Sequence, residues 1–408
     1  MSVGRATAAR RDRIERGFGA LDAAGIRWLL LRGDPGGAEA ELDVLVDGGK
    51  LRRAAAALET ADLHRLPAVG HPGHRFFVAY HPAAGRLTLD VVTDLAYGPG
   101  RTVDLPAGPV LDRRIRAADA WRPAAADAFW LRLLHAALDR NELRPSDREA
   151  ISEAWAAGPV ADSPLAAGLA GLAPTLVPAL ASTDPRDPAF ERLARALRAD
   201  LVPRSAGLRE RAGRPPGATK LHTALRRPGI AIALLGPDGA GKSTVSEILV
   251  ERLPVPARRV YLGLYADRAS GRGPARLRRL GQLVRARITA AAHLRRGRVV
   301  VLDRHPIELG SVAGAGRPGL RRRLSVSLAQ RLAPTADVVI VLDASVDVLM
   351  ARKREHDAAT IAAMRERYAA LARREGAIVV DATRPVGDVA DEVALATWRA
   401  LIRRWRRG

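Results

Sequence analysis

Residues 230–250 read IAIALLGPDGAGKSTVSEILV, and this stretch decides the fold of the second half of the chain. Ile230 to Leu235 is a short, continuous apolar run, the pattern of a parallel strand buried on both faces. The next eight residues, Gly236 to Ser243, fit G-x-x-x-x-G-K-[ST] at every fixed position. Val245, Ile248 and Leu249 follow at helical spacing, so a helix packs back on the strand. Strand, glycine loop and helix in that order make an anion site. Glycines let backbone N–H groups turn inward, the helix N-terminus adds partial positive charge, and Lys242 reaches the outer phosphates. Gly236, Asp238, Gly239, Ala240, Gly241, Lys242, Ser243 and Thr244 form the expected phosphate cradle. Ser243 is placed to hold Mg²⁺ through its hydroxyl.

Downstream, four further apolar runs punctuate the sequence: Arg259–Leu262, Arg298–Leu302, Asp337–Leu342 and Ala377–Val380. Helical patterns separate them, so a parallel, three-layer α/β domain with a five-stranded sheet is expected, its site at the carboxyl ends of the strands. The third strand runs into Asp303-Arg304-His305, which puts an acid at the metal end of that site and a guanidinium beside it for a phosphate. After the fourth strand a helix delivers Arg352, Lys353 and Arg354. The fifth is followed by Asp381-Ala382-Thr383-Arg384-Pro385. Residues 268–298 carry ten arginines and no acid. Leu277, Leu280, Val284, Ile288 and Leu294 recur there near helical spacing, predicting an amphipathic helix with a cationic outer face. That face is either simply solvated or grips an anionic acceptor, nucleic acid or a membrane.

GPDGAGKST, DRH, LDAS…LMARKRE and VVDATRP, in that order, resemble the thymidylate kinase family of nucleoside monophosphate kinases over residues 228–406. The resemblance implies ATP- and Mg²⁺-dependent transfer of a γ-phosphoryl group. It implies catalytic roles for Lys242, Asp303, Arg304, Arg352 and Arg354, with Ser243 and Asp303 on the metal. It places Asp238 near the acceptor sugar, Arg304 on the acceptor phosphate, Arg352 and Arg354 in a lid over ATP, and Thr383 and Arg384 at the adenine pocket. The segment after the second strand, VYLGLYADRASGRG, lacks the family's R-E-P-G element. PIELGSVAGAGRPG after His305 lacks its aromatic and glutamine. The acceptor therefore stays open among a thymidylate-like nucleoside monophosphate, another nucleotide, and a phosphorylated or hydroxylated small molecule.

In the first half, Ile26–Leu31 reads as a strand, and Glu41–Val46 as a second whose acids and apolar residues alternate between its faces. A helix over 50–61 and a hairpin of 74–81 with 86–93 follow. Glu41, Asp43 and Asp90 are three carboxylates on neighbouring strands, a template for metal-assisted phosphoryl chemistry. WLLLRG, ELDVLVD and RLTLDVV resemble the nucleotidyltransferase superfamily. That implies an α+β domain over 1–120 with Mg²⁺ on Glu41, Asp43 and Asp90, although Arg32-Gly33-Asp34 lacks the customary serine. Residues 121–204 read as a helical appendage, with His135 packed in its core. Residues 205–228, rich in Pro, Gly and Arg, read as a linker before the 229–408 domain.

The 408-residue chain has no Cys, which excludes disulfides, thiolate metal sites and cysteine nucleophiles. With no apolar leader and no run near the roughly 20 residues that span a membrane, a cytoplasmic protein without a transmembrane segment is expected. The net charge is +22, and Lys50, Lys220, Lys242 and Lys353 are the only lysines among 66 basic residues. Such a balance reflects GC-rich codon bias on a solvated surface, or suits a small nucleotide or phosphorylated partner and weakly a nucleic acid. Three whole-chain readings follow: a kinase carried by the second half, a nucleotidyltransferase carried by the first, or a non-catalytic, nucleotide-responsive binder of anionic partners.

Overall fold

The computed structural model describes residues 3–37, 41–66, 74–82, 85–99, 101–211, 229–262, 275–303, 305–308, 320–353 and 357–407. The chain divides into two compact units. One is Met1–Ala79 with Arg86–Thr219; the other is Tyr80–Gly85 with Lys220–Gly408.

The first unit opens with α1 (Val3–Ala23), β1 (Trp28–Arg32), β2 (Glu41–Val46), α2 (Leu51–Thr60), β3 (His64–Arg65), β4 (His74–His81) and β5 (Gly85–Val92). The five strands form one mixed sheet in the order β1-β2-β5-β4-β3, with β2 antiparallel to β1 and parallel to β5. Strand alternation splits the apolar residues between two cores. Trp28, Leu30, Leu42, Val44 and Val46 pack with Ile14, Phe18 and Leu21 of α1 and Leu58 of α2. Phe18 stacks on Trp28 at 4.3 Å between ring centroids. Leu29 and Leu45 point the other way, into a core shared with the helices that follow.

Those helices come after a hairpin, β6 (Leu95–Tyr97) and β7 (Val103–Leu105), then α3 (Ala107–Asp112) and a two-residue pair, β8 (Ile115–Arg116) and β9 (Trp121–Arg122). They are α4 (Ala125–Leu134), α5 (Pro145–Ala156), α6 (Pro164–Ala170), α7 (Leu176–Ser182) and α8 (Pro188–Arg211). Phe129, Trp130 and Phe190 anchor this core edge to face. The helical run that starts with α4 changes character before Asn141. After α4, residues His135–Arg140 form a π-helical turn that stops at Asn141, left-handed at φ 59°. In α5, Asp147 sits three residues inside the helix, where its carboxylate accepts the N–H of Arg144, the N-cap residue. α8 runs to Arg211, past the expected start of the linker at 205, through a stretch without proline; 212–228 lie outside the described residues.

The second unit is β10 (Ala231–Leu235), α9 (Lys242–Arg252), β11 (Ala257–Tyr261), α10 (Ala275–Arg295), β12 (Val299–Asp303), α11 (Leu320–Leu332), β13 (Val338–Asp343), α12 (Val346–Arg352), α13 (Ala358–Glu375), β14 (Ile378–Asp381) and α14 (Val386–Arg407). Its five strands are all parallel, in the order β11-β12-β10-β13-β14. On one face Ala231, Val300 and Leu302 meet α10 and α11, while Ala233, Leu235 and Val341 meet Tyr368 and Leu371 of α13. The alternate residues Ile232 and Leu234 are equally buried, facing the layer of α9 and α14, which pack on each other. In α10 the inner face is Leu283, Ala286 and Ala290. Val284 and Ile288, expected inside, are exposed. The small Ala286 and Ala290 let the helix lie close on the sheet, which turns the bulkier residues outward.

No described helix is long and apolar enough to cross a membrane.

Candidate functional site

β10 lies at the centre of its sheet, and the chain leaves it toward β11 while it leaves neighbouring β12 toward β13 on the other side. In open α/β sheets the crevice at such a reversal is where ligands bind. At the carboxyl edge Leu234 pairs with Asp303 and Ile340, and Tyr261 with Asp303, while β13 and β14 run on past the end of β10 to the pair Asp343 and Asp381.

The loop leaving β10 is shaped by its glycines. Gly236 has φ 146°, and a Cβ on it would stand 2.4 Å from the Leu342 carbonyl oxygen of β13. Only a residue without a side chain lets the loop cross that strand. Gly239, at φ 87°, lies against the Leu349 carbonyl of α12, 3.2 Å from its would-be Cβ. Gly241, at φ 86°, caps α9. A glycine cap has no side chain to occupy the first N–H groups of the helix, which therefore remain directed at the loop. Lys242 is buried and bends back, its Nζ donating to the carbonyls of Gly236 at 2.7 Å and Pro237 at 2.8 Å. Asp238 Oδ1 stands 3.7 Å from the same ammonium. Ser243 and Thr244, in the first helical turn, are exposed.

This loop is one wall of a cleft of about 800 Å³. Asp238, Gly239, Ala240, Gly241, Lys242, Ser243 and Thr244 line it from one side; Arg352, Lys353, Thr383 and Arg384 line it from the other. The structure thus brings the expected loop residues together with Arg352, Thr383 and Arg384, though they come from segments over 100 residues apart. Gly236 shapes the loop from beneath and does not line the cleft. Arg352 Nη1 donates to the Ala382 carbonyl at 2.9 Å, fastening the end of α12 to the turn after β14. That turn is itself pinned. Asp381 accepts from the Thr383 N–H at 2.9 Å and hydroxyl at 2.6 Å, and these bonds lower its pKa. Arg384 pairs with Glu392, which raises the guanidinium pKa. Pro385, Val386 and Val389 add an apolar wall that the sequence reading did not assign. The signal lay in the PVGDV run opening α14 directly after the turn.

β12 delivers the backbone of Asp303 to the same edge. The side chain of Asp303, and Arg304 and Arg354 altogether, fall outside the described residues. His305 is a buried anchor. Its Nε2 donates to the Pro334 carbonyl at 2.8 Å, and its Nδ1 accepts from Ile307 N–H at 3.3 Å. Burial holds its pKa below the usual value, as this neutral tautomer requires.

In the first unit, Asp43 and Asp90 are directly paired residues of β2 and β5, and Glu41 precedes Asp43 by two residues on the same face. Burial first, then Asp43 and Asp90, push the Glu41 pKa up. Both partners are engaged by cations or rings. Arg32 Nε donates to Asp43 Oδ2 at 2.5 Å, and His74 Nδ1 lies 2.8 Å from Asp90 Oδ2. No group of three or more His, Asp or Glu converges as a metal site among the described residues. His135, expected in the core, is half-buried and bonds Asp139 at 3.1 Å.

The chain matches no protein-family model and no curated protein sequence.

Proposed function

We propose that the second unit is an ATP- and Mg²⁺-dependent phosphotransferase of the thymidylate-kinase-like P-loop class. It would move the γ-phosphoryl group to a nucleoside monophosphate or a related small anionic acceptor. The observation that carries this reading is the shared cleft: Lys242 and the glycine loop face Arg352, Lys353 and Arg384 across one 800 Å³ space. A nucleotide needs that combination. The loop N–H groups and Lys242 hold the outer phosphates. Thr383 and the apolar Pro385, Val386 and Val389 offer a surface for a base. The cations across the cleft can spread charge on the group in flight. To take that role, Lys242 exchanges two loop carbonyls for phosphate oxygens of greater charge, and the loop need not refold.

Ser243 and Asp303 would hold the metal through oxygen donors alone, the hard chemistry that suits Mg²⁺. Bound there, the ion would neutralise charge on the β- and γ-phosphates. The first unit supports a nucleotidyltransferase-like reading through the register of Asp43 and Asp90 on adjacent strands. Incubation with α-labelled nucleotide tests that second reading, and transfer that survives Asp43→Ala would sink it.

The main test is the full chain with Mg·ATP and a panel of nucleoside monophosphates. Formation of a diphosphate supports the nucleotide version; ATP binding with no diphosphate from any member rejects it.

A further inference from the structure

A second cavity, of about 230 Å³, lies wholly within the first unit, between the end of β1, the β5–β6 segment and α4. Four guanidinium side chains line it, those of Arg32, Arg101, Arg122 and Arg132, against two carboxylates, Asp94 and Asp139. His74 and Tyr97 line it too, and the rest of the wall is apolar, Leu31, Leu95, Ala128 and Leu131 among it.

The cationic wall is built, not incidental. The π-helical turn after α4 carries Asp139, whose Oδ1 accepts the Gly98 N–H at 2.8 Å. Gly98 and Arg101 close the β6–β7 turn through an N–H···O bond of 2.8 Å. The turn leaves Arg101 at φ 56°, a left-handed conformation that arginine rarely adopts. Its guanidinium then reaches two groups, donating from Nη2 to Asp94 at 2.6 Å and from Nη1 to His74 Nε2 at 2.5 Å. A guanidinium can only donate, so His74 Nε2 accepts and its Nδ1–H faces Asp90. Arg101 Nε is buried without a hydrogen-bond partner among the described residues. Arg32 is held in turn by Asp43. Asp43 thus orients one cavity-facing cation directly, and Asp90 orients another, Arg101, through the His74 ring. Tyr97 also lines the space, and burial pushes its phenol pKa well up, which keeps it a neutral donor. π-turns and left-handed non-glycine residues both concentrate at functional sites.

We propose that this cavity binds a small organic anion: one phosphate or carboxylate headgroup, held by Arg101 with Arg32 or Arg132, on a compact apolar body against Leu95 and Leu131. The volume is below the roughly 300–1,000 Å³ of pockets for drug-sized ligands, so the ligand is smaller than a nucleotide. The site is separate from the cleft of the second unit, and it does not depend on the phosphotransferase reading.

Calorimetric titration of phenyl phosphate and of benzoate into the full chain carrying Lys242→Ala tests it, since that change removes the ammonium of the other cleft. Saturable one-to-one binding of either probe is expected, and the better probe identifies the headgroup. Arg101→Gly should weaken it at least tenfold while keeping the backbone unstrained, because glycine accepts φ 56° freely. Ala128→Phe, which fills the cavity without altering charge, should weaken it equally. Circular dichroism establishes that each variant is folded, and either one alone decides. Absence of saturable binding by both probes, or undiminished binding in a folded variant, overturns the proposal.

Discussion

Two glycines of the 236–243 loop differ in a way that makes a sharp test of its geometry. Gly236 and Gly241 both have positive φ, 146° and 86°. An alanine at 241 would meet nothing within 4 Å. Its cost is conformational alone, about 1–2 kcal/mol for placing an L-residue in the left-handed region. At 236 the added methyl would sit 2.4 Å from the backbone oxygen of Leu342. That neighbour is paired in the sheet and cannot swing away as a side chain could. The backbone region itself is almost exclusive to glycine, costing about 1–3 kcal/mol, and overpacking adds about 1–3 kcal/mol. The total is about 4 kcal/mol. For a unit of this size, 1 kcal/mol moves the melting temperature by roughly 2–4 °C. Gly241→Ala should therefore lower the melting of the second unit by a few degrees and Gly236→Ala by about three times as much, read by differential scanning calorimetry. Equal shifts for the two variants would refute the claim that the loop crosses β13 at contact distance.

Three further outcomes follow from the same reasoning. On the proposed phosphotransferase reading, Arg352→Ala should lower kcat by about 10²–10³-fold with a smaller change in KM, its charge there serving the transferred group more than the ground state; steady-state kinetics with the best acceptor measures this. The hydrogen bond from His64, aided by Arg13, holds Asp62 at about 2. A depressed carboxylate stabilises the fold above its unfolded pKa, and that contribution fades as pH falls from about 4 toward 2. Asp62→Asn, compatible with φ 63°, should flatten the acid limb of the first unit's melting profile. Asp127 has the opposite sign. Burial raises its pKa against the pull of Ser163 and Arg113, so ionisation opposes folding above the ordinary carboxylate range. Asp127→Asn keeps an oxygen for the Ser163 hydroxyl and should raise the melting temperature at pH 7 but not at pH 3.

The parallel sheet was readable because β-branched runs such as 299–303 and 338–343 are unbroken and bounded by helical patterns; their ends fall within two residues of expectation. The order of those strands was not readable, since it depends on crossovers whose lengths permit several arrangements. The face of α10 was misjudged because helical spacing alone does not weigh Ala286 and Ala290 against Val284 and Ile288. Close packing on a sheet favours the smaller pair. In the first unit Glu41, Asp43 and Asp90 stood out as acids on strands, whereas the groups that reach them did not. Arg32 and His74 lie 11 and 16 residues away from their partners, and nothing local marks them. The β6–β7 hairpin has three-residue arms, too short for a period. Its sequence mark is the Gly98-Pro99-Gly100 run between the arms, and the π-turn that supports it reads as ordinary helix up to Asn141.

The central claim is that the loop after β10 binds the phosphates of ATP through Lys242. Titration of Mg·ATP into the full chain and into Lys242→Ala tests it most directly. Replacing a charge-assisted contact worth about 1.5–3 kcal/mol predicts saturable binding that weakens about 10–100-fold in the variant, with the fold intact by circular dichroism. Equal affinity in the two proteins, or no binding by either, would contradict it.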